Sequence, residues 1–222
     1  MIKEDIIINS EYSAQGRNHS TSPGLVRLIN KSKILGSIGN DNCVVDYGCG
    51  KLRNFEQIKK FAQELYLVDT KIQLSRNHTE QGKLFDYNDF LEKNSNGVAC
   101  KLMDNINFQK LNINCDLIFS IAVADIIPLE SYATIIKDSF EKLRKDGYLV
   151  LVVPRNDTSI LRRCNKENSY KLGNVFRKGK YCTYMRNYRD SKPLFTEVEK
   201  YGFSLEEDLS IFNQICTIFR KN

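Results

Sequence analysis

No stretch of the 222 residues approaches the ~20 consecutive apolar positions that a membrane-spanning helix needs, so no membrane association is expected. Histidine is almost absent. With only His19 and His78 available, a histidine-rich metal centre is excluded and no metal site is expected. The seven cysteines, at 43, 49, 100, 115, 164, 182 and 216, include no C-x-x-C pair. That removes zinc-ribbon and dithiol-motif readings. The odd number and the placement of several cysteines in buried runs leave no disulfide framework. Reduced thiols in a cytoplasmic protein are expected. Internal repeats and low-complexity tracts are also missing. The opening Met1-Ile2-Lys3-Glu4-Asp5 places acids ahead of the short Ile6-Ile7-Ile8 run, unlike a secretory signal. The net charge of +6 would assist a phosphate-bearing partner, although a solvated lysine-rich surface accounts for it without one.

The chain does have an apolar fraction of 41%, and its length suits one domain with a sizeable core. Residues 1–21 read as polar and irregular. Ser22-Pro23 reads as a helix start, a capping hydroxyl followed by proline at the first helical position. Short buried strands are expected at 43–47, 65–69, 98–102, 115–120 and 148–153, with Pro154 ending the last. Between them, helices are expected over 54–65, in one or two pieces over 71–95 with a break near Gly82, and over 129–145 up to Asp146-Gly147. This alternation predicts an α/β fold with a mostly parallel sheet wrapped by helices. Residues 155–190 show no clear strand. A helix near 192–201 and two strands, about 204–212 and 214–220, close the chain as a candidate antiparallel hairpin.

The densest local signal is Cys43-Val44-Val45-Asp46-Tyr47-Gly48-Cys49-Gly50. It is a buried strand that ends in an acid and a Gly-x-Gly turn, where missing side chains let the backbone turn sharply and a ligand approach closely. A dinucleotide fingerprint would require glycine at position 53, but Arg53 stands there. That substitution disfavours a nicotinamide-dependent oxidoreductase.

These pieces resemble the class I, Rossmann-like S-adenosylmethionine-dependent methyltransferases, over roughly residues 22–220. The family's first strand ends in D-x-G-x-G, matched by Asp46, Gly48 and Gly50. The resemblance implies that this loop curls around the methionine part of the cofactor. It implies that Asp69, ending the second strand, accepts hydrogen bonds from the ribose hydroxyls, and that Asp104 meets the adenine amino group. The fourth strand resembles the family's F-D-x-x-x-S pattern, with Cys115 replacing the aromatic and Ser120 in the last position. Leu143-Arg144-Lys145-Asp146-Gly147 resembles a turn that reads L-x-P-G-G in relatives, with Lys-Asp replacing Pro-Gly. The implied architecture is a three-layer sandwich on a seven-stranded, mostly parallel sheet with a C-terminal antiparallel hairpin. Plainer readings stand beside these roles. Asp69 reads equally as a helix cap, Asp104 as an ordinary loop acid, and Ser120 as a group that satisfies backbone.

Asp125 sits where many relatives carry a histidine and is the candidate to orient or deprotonate the acceptor, its plainer role being a capping or surface acid. The segment Ser120-Ile121-Ala122-Val123 lacks the D/N/S-P-P-Y/F motif of DNA amino-methyltransferases, which disfavours that substrate. Two segments are candidate covers: residues 1–21, with Arg17 or Arg27 toward the cofactor carboxylate, and the insertion 155–190, rich in arginine, lysine and tyrosine. Basic and aromatic side chains together suit a small-molecule, nucleotide or RNA acceptor, or else form a solvated flap. Two function classes result. One is a methyltransferase; the other is a non-catalytic S-adenosylmethionine-binding regulatory module.

Overall fold

The computed structural model describes residues 21–75, 78–80, 83–127, 129–154, 169–170, 173–178, 181–186, 191–211 and 213–222. Residues 1–20 of the expected N-terminal cover, Arg17 among them, therefore lie outside the described residues, as do 155–168, 171–172, 179–180 and 187–190 of the expected cover 155–190. In chain order the main elements are α1 (Pro23–Lys31), α2 (Lys33–Ser37), β1 (Asn42–Tyr47), α3 (Phe55–Ile58), β2 (Ala62–Asp69) and α4 (Lys71–Leu74). Next come the short strands β3 (His78–Glu80) and β4 (Lys83–Phe85), then α5 (Tyr87–Asn94), β5 (Ala99–Asp104), α6 (Asn105–Lys110), β6 (Cys115–Ile121), α7 (Leu129–Lys142) and β7 (Leu143–Pro154). The chain finishes with β8 (Ser169–Tyr170), β9 (Gly173–Lys178), β10 (Tyr181–Arg186), α8 (Lys192–Glu199), β11 (Phe203–Asp208) and β12 (Gln214–Lys221).

Seven strands form one sheet in the order β11-β12-β7-β6-β1-β2-β5. The five strands β5, β2, β1, β6 and β7 pair in parallel, and β12 runs antiparallel to both β7 and β11. Only β12 is therefore reversed, and β11 runs in the common direction. The expected sandwich and closing hairpin are both present.

Alternation along the strands builds the two faces. Val44, Leu67, Phe119, Val150 and Ile218 face Leu25, Leu28, Phe55, Ile58 and Leu91 from α1, α3 and α5. Val45, Val68, Ile118, Leu151 and Phe219 face Phe108, Tyr132, Ile136, Leu194 and Val198 from α6, α7 and α8. Each such large side chain removed from water contributes about 1.5–3 kcal/mol, which is why continuous apolar runs mark sheet strands covered on both sides.

Several local expectations shift. The helix expected over 54–65 is only α3 plus a 3-10 turn at Lys59–Phe61, and β2 begins at Ala62 rather than Leu65. Ala62 pairs with Asn42, and the Asn42 Nδ2 donates to the Phe61 carbonyl at 2.9 Å, so ladder formation overrides the helical spacing. The region 71–95 is interrupted by the β3–β4 hairpin rather than by a single helix break. Helix α7 stops at Lys142, because Leu143 already pairs with Cys115 before the chain loops out to resume pairing at Tyr148. The Ser22 hydroxyl does not cap α1; instead its backbone N–H donates to Asn54 Oδ1 at 3.0 Å. Within 155–190, where no strand was expected, β8, β9 and β10 form a three-stranded antiparallel sheet.

Candidate functional site

Parallel strands deliver their C-terminal residues to one edge, and the sequence places its acids and glycines there. Asp46 and Tyr47 end β1, Asp69 ends β2 opposite Asp104 at the end of β5, and Ser120 lies near the end of β6. This edge, outside the carboxyl ends of the strands, is where open α/β sheets take ligands.

The turn after β1 is built on left-handed backbone. Gly48 has φ +90° and Gly50 φ +54°, and Leu52 follows at +59°. The amides of Gly48 and Cys49 donate to the Val68 carbonyl at 2.7 and 3.1 Å, bending the turn over the end of β2. The Gly50 amide donates to Asp69 Oδ2 at 2.8 Å, and the Thr70 amide donates to Asp69 Oδ1 at 2.7 Å. Tyr87, the first residue of α5, donates its hydroxyl to the Gly50 carbonyl at 2.8 Å.

The two glycines do different work. A Cβ on Gly48 would lie 2.3 Å from Val123 Cγ2, in the turn that follows β6. A Cβ on Gly50 would meet nothing within 4 Å. Gly48 thus permits close packing of two loops, whereas Gly50 borders open space.

Asp46 is 1% exposed, and neither carboxylate oxygen has a hydrogen-bond partner among the described residues. Burial, reinforced by the neighbouring Asp69 charge and opposed by Arg53, pushes its pKa up to about 7. Ser120 is equally buried, and its Oγ is likewise unpartnered among the described residues. Buried polar atoms left without partners cost about 1–3 kcal/mol each, so their persistence at one edge points to a polar ligand.

Asp104 caps α6: its Oδ1 accepts from the Asn107 amide at 2.9 Å and its Oδ2 from Asn107 Nδ2 at 2.7 Å. The plainer reading made Asp104 an ordinary loop acid; it is instead the N-cap of α6, while the cap expected at Asp69 falls to Thr70. The Asp104 carboxylate retains further lone pairs on the β5 edge. Asp125 is 6% exposed in the turn after β6, so it is no surface acid. In that turn the Ile126 amide donates to the Val123 carbonyl at 3.0 Å, while Ala122 takes φ +57° and its amide donates to the Val152 carbonyl at 2.7 Å. Arg27 lies on the exposed side of α1.

Sequence reasoning singled out Asp46, Gly48, Gly50, Asp69, Asp104 and Ser120, and all of them come to one edge of the sheet. It missed Tyr87, Thr70 and Val123. Thr70 had a legible signal, since its Oγ1 accepts from the Gln73 amide at 3.2 Å as a helix cap directly after the strand acid. Tyr87 and Val123 act across long sequence separations and carried none.

S-adenosylmethionine, the cofactor that the resemblance implies, suits this donor and acceptor set. Its ammonium and sulfonium charges suit an acidic edge, and the space beside Gly50 admits a ligand against bare backbone. Among the described residues no cluster of histidine, cysteine, aspartate or glutamate could hold a metal ion.

The comparisons with known proteins agree with this geometry. A family model described as a methyltransferase domain matches residues 22–207. The uncharacterized protein YmfD of Escherichia coli (strain K12) is 27% identical over 151 residues, 67% of this chain and 66% of that protein. Among solved structures, an S-adenosylmethionine-dependent methyltransferase from Clostridium acetobutylicum superposes with a TM-score of 0.62 at 13% identity, covering 90% of this chain and 91% of its own. The magnesium protoporphyrin IX methyltransferase of Synechocystis, solved with bound S-adenosylhomocysteine, gives 0.59 at 12% identity, covering 100% of this chain and 88% of its own. With more than half its length matched by the family model, and with that sheet order and strand-end site, the chain belongs to the methyltransferase-domain family and has the Rossmann-like fold of the class I S-adenosylmethionine-dependent enzymes.

Proposed function

We propose that the protein transfers a methyl group from S-adenosylmethionine to a small-molecule or nucleic-acid-derived acceptor. The observation that carries this reading is the Asp46–Gly50 turn tied to Asp69, with both oxygens of the buried Asp46 carboxylate lacking a partner among the described residues. When bound, S-adenosylmethionine supplies an electrophilic methyl group on a cationic sulfur, with a neutral thioether as leaving group.

In this reading the chain's own residues bind and orient. The Gly48–Gly50 backbone forms the wall of the methionine side, and Asp46 offers a buried carboxylate to positive charge. Asp69, fixed by two backbone amides, presents its remaining lone pairs to the ribose hydroxyls. Asp104 and Ser120 complete the cofactor side. Asp125, buried in the turn above β6, orients the acceptor or takes its proton. Holding the reactants in line is worth about 7–11 kcal/mol of barrier, so no catalytic triad is required.

The acceptor-side cover is assigned to residues 155–190, which follow β7 in the chain; the C-terminal end of β7 at Pro154 lies on the edge that holds the glycine turn. The Synechocystis relative is named for a porphyrin acceptor, which favours a small molecule over a polymer. Among the described residues no helix is long and apolar enough to cross a membrane, and Cys43, Cys49, Cys100, Cys115 and Cys216 are in no disulfide, in keeping with a cytoplasmic setting. The alternative of a cofactor-binding module without turnover has no observation in its favour.

The test is a thermal-shift titration with S-adenosylhomocysteine and, in parallel, NAD. At 100 times its dissociation constant the true ligand stabilises by ~2.7 kcal/mol. Stabilisation by S-adenosylhomocysteine alone is expected; stabilisation by NAD alone overturns the reading. A labelled-methyl screen against metabolite, nucleotide and RNA pools then identifies the acceptor.

A further inference from the structure

At the opposite end of the sheet from the glycine turn, the N-terminal ends of β1 and β6 bring two thiols together. Cys43 Sγ and Cys115 Sγ are 3.8 Å apart, within sulfur hydrogen-bonding range. Strict alternation along β6 would set Cys115 on the face of Leu117, away from Cys43. Cys115 instead lies on the face of Ile118, where Cys43 also packs, beside the point at which β7 loops out between Leu143 and Tyr148.

The two sulfurs differ in environment. Cys115 is fully buried, whereas Cys43 is half-buried and reachable. The hydrogen bond between the two thiols holds the Cys43 pKa below the ordinary cysteine value. Burial and the nearby acids Glu64 on β2 and Asp116 on β6 oppose that effect, and Lys101 on β5 assists it. Cys115 is pushed in the other direction by its bond to Cys43 and by burial. An accessible thiol with enhanced thiolate character beside a buried partner is the arrangement of an attacking and a resolving cysteine. Cys49, Cys100 and Cys216 lack it. Cys49 and Cys216 are buried, and burial raises the pKa of Cys100.

We infer that Cys43 and Cys115 form a redox-active dithiol that closes to an intramolecular disulfide by exchange with a small-molecule disulfide. The Cys43 thiolate attacks one sulfur of the oxidant, forming a mixed disulfide and releasing one thiolate. Cys115 then gives up its proton and attacks Cys43 Sγ, expelling the second small thiol. Two protein thiols and one disulfide become one protein disulfide and two free thiols, so electrons and atoms balance. Closure requires the sulfurs to approach from 3.8 Å to ~2.05 Å, a side-chain movement between neighbouring strands. This chemistry is independent of methyl transfer.

The test incubates the reduced, full-length protein with oxidised glutathione, quenches with an alkylating reagent, and maps peptides by mass spectrometry. The expected result is loss of both alkylatable thiols at Cys43 and Cys115, with a Cys43–Cys115 crosslinked peptide and no glutathione retained on either. Cys115→Ser is expected to stop at a stable glutathione adduct on Cys43, and Cys43→Ser to leave Cys115 unmodified. Because the wild-type peptide map needs no variant, a folding defect in either substitution leaves the test intact. Wild-type protein that keeps glutathione on Cys43 without crosslinking, or keeps both thiols alkylatable, overturns the inference.

Discussion

The two ends of the parallel sheet are built from the same strands but follow opposite rules. At the N-terminal end, polar groups are paired. Asp116 Oδ2 accepts from the Cys43 amide at 2.8 Å while its Oδ1 meets Arg144 Nε at 2.5 Å. Lys142 Nζ, buried beside α6, donates to the carbonyls of Gln109 and Leu111, and Lys221 Nζ to those of Phe140 and Leu143. At the C-terminal end, Asp46 and Ser120 are buried without partners among the described residues. Left-handed backbone occurs at both ends, at Leu52 and Ala122 near the glycine turn and at Asn96 and Asp146 at the far end, so it is the polar groups that set the ends apart. One end is arranged for stability. The other holds unspent polar capacity, which persists where a ligand is to be met.

The sharpest way to break this comparison is to titrate Asp46. Its folded-state pKa is raised from 3.8 to about 7, chiefly by burial, so the folded protein holds that proton more tightly than the unfolded chain. Its contribution to stability is full below about pH 4 and is lost as pH rises through about 7, a change of about 4 kcal/mol. Urea denaturation across this range is expected to show stability falling with rising pH and levelling above pH 7. In Asp46→Asn that fall is expected to disappear, with a gain of about 2 kcal/mol at pH 8, since a buried amide without partners costs less than a buried charge. The same variant is expected to bind S-adenosylhomocysteine and S-adenosylmethionine more weakly. A pH dependence that survives the substitution assigns the proton elsewhere.

The next contrast lies within the functional end itself. Gly48→Ala meets both a backbone at φ +90° and a Val123 methyl at 2.3 Å, so a loss of about 3 kcal/mol is expected in urea denaturation. Gly50→Ala carries only the left-handed penalty of about 1 kcal/mol, because its Cβ would enter open space. If that space receives the cofactor, Gly50→Ala is the variant that folds and fails to bind. Equal stabilities for the two variants would show that Val123 yields, and that the β1 and β6 turns are not locked together.

The glycine pair was legible in the sequence because only a turn needing bare backbone explains Gly-x-Gly after a buried acid. Asp69 was legible through its spacing, one helix and one strand beyond Gly50, which held although the helix is shorter than expected and β2 longer. The Asp104 cap was not foreseen, because no helix was expected between the strands at 98–102 and 115–120, where α6 lies. Tyr87 on the Gly50 carbonyl and Val123 over Gly48 were not legible, because those contacts are chosen by how α5 and the β6 turn pack, not by neighbouring residues. The strands β8, β9 and β10 were missed for a compositional reason. Their segments mix arginine, lysine and tyrosine without a clear apolar alternation, and in the structure they are defined by antiparallel pairing. The Cys43–Cys115 approach places Cys115 on the face opposite Leu117, which strict alternation along β6 does not predict.

The smallest expected effect belongs to the paired end and is the control for the whole comparison. Asp116→Asn keeps an acceptor for the Cys43 amide but removes the charge that meets Arg144, whose side chain is half exposed. Exposed ion pairs contribute about 0–1 kcal/mol, so a loss within that range is expected in urea denaturation, shrinking further in high salt. Cofactor affinity is expected to stay the same, because Asp116 sits at the far end of the strand that carries Ser120. A matching fall in S-adenosylhomocysteine affinity would mean that the N-terminal end tunes the pocket through β6. The division of labour between the two ends would then be one of degree.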